Sequence, residues 1–420
     1  MLSRWLPFEK PLVEIEEQIE ELKRLAAREN LDLSSQIGRL AERHHAVMKE
    51  IFTGLTPWEK VQLARHPKRP YTLDYIGALC SQWIEIHGDR AFGDDGAIVA
   101  GLGRFNGRSV AIIGNQKGRD TKERQERNFG QPSPEGFRKA ERVMELASRY
   151  NRPILSFIDT PGAACSPAAE ERGISEAIAH SQWLMSQLPV PIIVVITGEG
   201  CSGGAIATAL GDRVLMLENS YYSVIAPESC SSILYRDNSK APELSADLRI
   251  TSDDAKRLGI IEEILPEPLG GAHRNAAQMS RTLGEAIERH LSELVGVAPD
   301  ELLEARYLRF RNLGDYEGKV LYEAQKPAPV ADAAASKKAA PRRKAVATSS
   351  KSALAKNTAG KESAVKTSAR PRVRKASPAP EINDGASNGN ATNSSAIEAP
   401  RAALNGAAMN ASATPAVEDA

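Results

Sequence analysis

Apolar residues recur at three- and four-residue spacing in two stretches near the start of the chain: Leu12, Ile15, Ile19, Leu22 and Leu25, then Ile37, Leu40, Val47 and Ile51, with His44 in step. That period, set among Glu, Lys and Arg, predicts two amphipathic helices, and the polar break at residues 30–35 folds them into an antiparallel hairpin. Thr56-Pro57-Trp58-Glu59 has the form of a capping box with proline at the first helical position. A short helix therefore starts there and stops before His66-Pro67-Lys68-Arg69-Pro70.

From residue 97 the pattern changes. Short runs rich in Val, Ile and Phe at 97–105, 109–113, 153–158, 191–197 and 213–217 alternate with helical patterns, which predicts an α/β fold. Ser133-Pro134-Glu135 opens a helix with Ala140, Val143, Met144, Ala147 and Tyr150 on one face, while Arg138, Lys139 and Arg142 fall elsewhere. Thr251 opens another, with Asp253 and Asp254 in its first turn and Gly259 as its stop before residues 260–264. Helical patterns at 276–294 and 300–310 are expected to pack outside the core. Beyond about residue 325 the chain is Ala, Lys, Ser, Pro and Asn, with too little apolar surface to offset the entropy of ordering. The expected organisation is a helical region over 1–70, a main domain over 71–320 and a disordered tail over 321–420.

Charge refines this picture. The 420 residues carry 54 Lys and Arg against 54 Asp and Glu, but residues 337–375 are strongly basic and the N-terminal part holds runs such as Glu14-Ile15-Glu16-Glu17. Only the basic tail is a candidate for contact with nucleic acid, and a solubilising appendage is the simpler reading. No apolar run approaches the roughly 20 residues that span a bilayer. The four cysteines form no C-x-x-C pair and follow no signal-peptide pattern, so reduced thiols, a cytoplasmic location and no metal site in this chain are expected.

The candidate chemistry lies at two strand ends. Thr197-Gly198-Glu199-Gly200-Cys201-Ser202-Gly203-Gly204-Ala205 follows an apolar strand and opens a small-residue helix, and it reads as a glycine turn whose free N–H groups suit an anion or oxyanion. The strand at 153–158 runs into Asp159-Thr160-Pro161-Gly162-Ala163. Ligands bind at such ends of α/β sheets. Asp-Thr-Pro-Gly also occurs in GTPases, but no phosphate loop of the form G-x-x-x-x-G-K-[ST] precedes it. Gly200-Cys201-Ser202-Gly203-Gly204 matches the G-x-S-x-G elbow of serine hydrolases, with Asp212 and His273 following in hydrolase order. The paired glycines after Ser202 suit backbone donors better than a nucleophile. Lys117 and Arg119, in a charge-dense loop after a strand, could face a phosphate of coenzyme A or simply be solvated. His87-Gly88-Asp89-Arg90 and Gly93-Asp94-Asp95 read as turn and ion-pair residues.

Taken in order, several motifs resemble one family. They are Phe8-Glu9-Lys10-Pro11, His87-Gly88-Asp89-Arg90, Gln116-Lys117-Gly118-Arg119-Asp120, Asn128-Phe129-Gly130, Pro134-Glu135-Gly136, the run 158–163, Ala169-Glu170-Glu171-Arg172-Gly173, Tyr222-Ser223-Val224-Ile225 and Glu267-Pro268-Leu269-Gly270-Gly271-Ala272-His273. Over about residues 2–320 the chain is similar to the carboxyltransferase α subunits of multi-subunit bacterial acetyl-CoA carboxylases.

The resemblance implies a crotonase-like spiral of ββα units and transfer of a carboxyl group from carboxybiotin to acetyl-CoA, giving malonyl-CoA for fatty acid biosynthesis. Both are substrates, with no covalently bound cofactor. It implies a carboxyltransferase β subunit as partner in an α2β2 assembly, together with biotin carboxylase and a biotin carboxyl carrier protein, ATP binding belonging to the complex. Gly203 and Gly204 are then the expected catalytic donors, and Gly162, Ala163, Gly200, Lys117 and Arg119 the expected substrate-binding residues. Cys201 stands where the family usually has glycine, and Ala164-Cys165-Ser166-Pro167 where Tyr-Pro-Gly commonly follows. A cysteine needing positive φ would be strained, and a thiol beside a helix start could be acidified. The rival expectations are a hydrolase using Ser202 and a non-catalytic scaffold.

Overall fold

The computed structural model describes residues 5–314. The tail expected over 321–420 lies outside them. The two N-terminal helices span Lys10–Glu29 and Ser34–Thr53, the first ending on Asn30 at φ 52°, a left-handed cap that asparagine tolerates. Thr56 and Glu59 close the capping box, the Glu59 N–H donating to Thr56 Oγ1 at 3.3 Å and the Thr56 N–H to Glu59 Oε2 at 2.8 Å. Arg274 ties the hairpin to the main body, donating to Glu16 at 2.6 Å and to Glu9 at 3.0 Å.

The main body is built on one sheet whose eight strands are β1 (Cys80–Glu85), β2 (Ile98–Phe105), β3 (Arg108–Asn115), β4 (Ile154–Thr160), β5 (Ile192–Cys201), β6 (Arg213–Leu217), β7 (Tyr221–Ser223) and β8 (Glu263–Leu265). Strands β1, β2 and β3 are antiparallel, and β3, β4, β5, β6 and β8 then continue in parallel. Parallel strands covered on both faces read as unbroken apolar runs, and β4 and β5 are buried at every position. One face carries Ile154, Ile158, Val194 and Ile196 against the helices Pro134–Arg149 and Ile174–Gln187. The other carries Leu155, Phe157, Ile193 and Val195 against the helices Thr72–Leu79 and Ala276–Leu294.

Two expectations change here. The helix Ala276–Leu294 is part of the core, because its Met279, Leu283, Ile287 and Leu291 cover the second face of the sheet. The helix Pro299–Arg311 is anchored too, through the fully buried Arg306. Within Pro134–Arg149 the apolar face is as read except for Tyr150, which is exposed just past the end, while Lys139 is buried and donates to Asp94 Oδ1 at 2.6 Å. The Asp89 carboxylate accepts from the N–H groups of Ala91, Phe92 and Gly93, the turn role expected of this segment. No helix among the described residues is long and apolar enough to cross a membrane.

Candidate functional site

The glycine-rich run is mostly strand. β5 extends to Cys201 because, once past its pairing with β6 at Ile196, residues 199–201 pair with β7 (Glu199 with Tyr221, Gly200 with Tyr222, Cys201 with Ser223). This non-local pairing overrides the local glycine content, and the turn shrinks to the step from Cys201 into the short helix Ser202–Ile206. Gly200 is therefore a packing residue: a Cβ there would lie 2.9 Å from the Tyr222 ring and 3.1 Å from the Tyr221 carbonyl. It is held inside the sheet and does not line the hollow over Ser202 and Gly203.

Cys201 is corrected as well. Its φ of −122° is ordinary extended backbone, so the side chain imposes no strain, and the residue that takes the left-handed conformation is Ser202, at φ 57°. The thiol is 1 % exposed and packs with Val61, Ala64, Tyr221 and Ile250. Burial, followed by the nearby Glu199 charge, pushes its pKa up to about 12, so it is not the acidified thiol a helix start would give.

Two turns meet at the strand ends. Gly162 follows β4 at φ 145°, which favours glycine, and the Thr160 hydroxyl accepts from its N–H at 3.1 Å while lying 2.7 Å from the Gly130 carbonyl. Gly204 packs directly on that turn: a Cβ there would fall 2.5 Å from the Gly162 carbonyl carbon and 2.8 Å from the Ala163 nitrogen. Only glycine permits this approach. Gly203 has more room, its nearest neighbour being the end of the Ile178 side chain at 3.0 Å. As first-turn residues, Gly203 and Gly204 have N–H groups with no acceptor four residues back. An open hollow of about 420 Å³ lies over the junction, lined by Ala163, Cys165, Pro167, Ile178, Ser202 and Gly203 among others. A larger hollow of about 650 Å³, beside Tyr307 and Phe310, has no such turn in its lining.

The structure thus brings Gly162, Ala163, Gly203 and Gly204 together and separates Lys117 and Arg119 from them in role. The Lys117 ammonium donates to Asp159 Oδ1 and Glu199 Oε2, each at 2.6 Å, and these two carboxylates hold it charged. Arg119 stacks 4.1 Å over the Tyr71 ring, donates to the carbonyls of Pro67 at 2.7 Å and Arg69 at 3.0 Å, and pairs with Asp74. Both cations already have protein partners where a phosphate was expected. The loop's charge density was legible in the sequence; its partners lie about 40 to 80 residues away and were not.

Glu199 is the hub that sequence reasoning missed. Besides Lys117 it accepts from Arg65 Nε at 2.6 Å and from the Tyr221 hydroxyl at 2.8 Å, and Arg65 also pairs with Glu228. Burial alone would raise its pKa, but Lys117 and Arg65 outweigh burial and hold it at about 2.

The hydrolase elbow fails on geometry. Asp212 accepts from the Ile192 N–H at 2.7 Å, at the start of β5, whereas Ser202 follows the end of that ten-residue strand, which at about 3.3 Å per residue is roughly 30 Å away. His273 stacks on His66 at 3.9 Å, with Glu9 at 3.7 Å. Asp212 cannot complete a triad with Ser202, and His273 is engaged with His66 and Glu9 instead.

Fold and hollow define a class: an α/β protein whose site is lined at strand ends by main-chain turns rather than by a nucleophile and its base. The profile of the family described as "Acetyl co-enzyme A carboxylase carboxyltransferase-like" matches residues 5–314. The chain is 50% identical over 317 residues to the acetyl-coenzyme A carboxylase carboxyl transferase subunit alpha of Bordetella avium (strain 197N), covering 76% of this chain and 99% of that protein. It is 52% identical over 317 residues to the protein of the same name from Prochlorococcus marinus (strain MIT 9215), covering 75% and 95%. A solved Pseudomonas malonate decarboxylase hetero-dimer is similar at TM-score 0.46 and 16% identity over 57% of this chain and 96% of that one, too distant to bear on function. The chain belongs to the acetyl-CoA carboxylase carboxyltransferase family, and the α/β class expected from its strand runs is what the sheet and its two helix layers show.

Proposed function

We infer that this chain is the α-type subunit of a biotin-dependent carboxyltransferase that moves a carboxyl group from carboxybiotin to acetyl-CoA, giving malonyl-CoA, the first committed step of fatty acid synthesis. The observation that carries this reading is the nearly end-to-end match, at 50% identity, to proteins named as subunit alpha of that enzyme. Carboxybiotin and acetyl-CoA are substrates, and neither is covalently attached to this chain.

The reaction needs oxyanion stabilisation more than a nucleophile. As the N1–carboxyl bond of carboxybiotin breaks, carbon dioxide leaves and negative charge moves onto the ureido oxygen. The freed N1 then takes a proton from the acetyl methyl group, and the resulting enolate attacks carbon dioxide to form the new carbon–carbon bond. The N–H groups of Gly203 and Gly204 are the donors for the ureido oxygen, and donors fixed before the charge develops need no reorganisation. Gly162 and Ala163 shape the opposite wall, and the close contact of Gly204 with Gly162 fixes the separation of the two walls.

A subunit named alpha implies partner subunits. The partners are a carboxyltransferase β subunit, which stabilises the thioester enolate in an α2β2 assembly, the biotin carboxyl carrier protein and biotin carboxylase, all in the cytoplasm; the four free thiols support that location. Among the described residues, those from 71 onwards form the carboxyltransferase domain and those up to 70 its helical preface. Combining the purified chain with a β subunit and assaying biotin-dependent decarboxylation of malonyl-CoA tests the reading. Turnover is expected from the complex and not from either chain alone; a stable complex without turnover overturns it in favour of a scaffold.

A further inference from the structure

Asp159 and Glu199 occupy equivalent places. Asp159 lies three residues before Gly162, and Glu199 three residues before Ser202, so each carboxylate sits at the base of one of the two turns that form the hollow. Between them the sheet register slips: Ile158 pairs with Ile196, but Thr160 pairs with Gly200, so β5 has two more residues than β4 over the same span. The Asp159 carboxylate occupies this irregularity. It accepts from the Glu199 N–H at 2.9 Å and packs so closely on Gly198 that a Cβ there would lie 2.5 Å from Oδ1. A single ammonium, that of Lys117 from the loop after β3, reaches both carboxylates at 2.6 Å. Its stem is itself hemmed in by the left-handed turn Asn128-Phe129-Gly130, since a Cβ on Gly130 would lie 2.7 Å from Lys117 Cγ. The Gly130 carbonyl in turn meets the Thr160 hydroxyl that holds the Gly162 N–H.

We propose that Lys117 is a positioning residue for carboxyl transfer: its ammonium cross-links the two carboxylates beneath the turns and so fixes the Gly203 and Gly204 donors against the Gly162 wall. The inference rests on the carboxyltransferase reading above. Glu199 also faces Arg65, which pairs with Glu228 as well, and the Tyr221 hydroxyl, whereas burial and the Glu199 charge push the Asp159 carboxyl up and Lys117 is the ammonium bonded to it; without Lys117 the pair is left to repel or take up a proton. A displacement of about 1 Å at a reacting centre costs on the order of 100-fold in rate, which sets the scale of the expected effect.

The test uses the assembled α–β enzyme and steady-state kinetics. Lys117→Met keeps the length of the stem and removes the charge; its kcat is expected to fall by about 10- to 100-fold while KM for the coenzyme A substrate stays within about twofold. Its activity should also acquire a new pH dependence, falling as pH rises through the pKa of the carboxylate pair, because the pair holds one proton below that value and repels above it. Lys117→Met combined with Glu199→Gln removes the repulsion and should recover a large part of the lost kcat; Lys117→Arg, which keeps a charge, should lose less than Lys117→Met.

A rise in KM with unchanged kcat would make Lys117 a direct substrate contact and overturn the proposal. So would additive losses in the double variant, or activity equal to that of the unsubstituted enzyme. If Lys117→Met does not assemble, Asp159→Asn gives the same reading from the other side: a kcat loss at fixed KM supports the proposal, and unchanged kcat refutes it. An inactive unsubstituted complex would instead strike at the carboxyltransferase reading itself.

Discussion

The two ends of β5 are built for different purposes. At the start, Arg306 reaches in from the last described helix and uses all five of its donors: two bonds of 2.8 Å to Asp212 and three of 2.8 to 2.9 Å to the carbonyls of Met185, Leu188 and Val190. Every donor of the guanidinium is paired within the protein, even though the hollow of about 650 Å³ beside Tyr307 and Phe310 reaches Arg306. At the other end, Lys117, Asp159, Glu199 and Arg65 are equally charged, but they sit beneath two glycine contacts, a left-handed serine and an open hollow. Buried charge serves anchoring at one end and positioning at the other. Hollows open at both ends, and what separates them is whether glycine turns with free main-chain donors lie beyond the charges.

The largest effect that can break this contrast is at the anchoring end. Arg306→Ala leaves Asp212 buried without its cation and should lower unfolding free energy by about 3 to 5 kcal/mol in urea titration. kcat per folded molecule should stay within about twofold; a large kcat loss would show that both ends feed the reaction.

The acid limb comes next. Glu199 is held at about 2 against an ordinary 4.5, so its ion pairs contribute stability that is full above pH 4.5 and drains away as pH falls towards 2, on the order of 3 kcal/mol in all. Unfolding measured across that window should be flatter in Glu199→Gln. An unchanged slope would mean that the network is not what acid breaks.

Gly204→Ala follows. Its methyl group must push the two turns apart, and kcat is expected to fall on the order of 100-fold, whereas Gly203→Ala meets only the end of Ile178 and should lose far less. Equal losses would contradict the assigned contact. The smallest effect is Ser202→Gly: relief of the left-handed conformation should raise stability by about 1 kcal/mol in the same urea titration. A destabilised variant would show that the serine side chain holds the turn.

Local pattern and distant pairing divide the credit for what could be read in advance. The hairpin, the capping box at Thr56, five of the eight strands (β2 to β6) and the glycine turn at Gly162 are set by neighbours in sequence, and each appears close to where its residues predict. The extension of β5 to Cys201 was hidden because it depends on pairing with Tyr221–Ser223, about twenty residues on. Helix Ala276–Leu294 displayed its apolar face plainly, but nothing local says which sheet face it covers.

The same division runs through the site. The sequence by itself determined that glycines stand at two strand ends, and its ordered motifs determined the family. Tertiary structure decided which glycine touches which turn, that Gly200 and Cys201 face inward, and that Lys117 belongs to two buried carboxylates. The reason is physical: backbone propensity acts over a few residues, whereas close packing and charge pairing act between atoms that only the fold brings within reach.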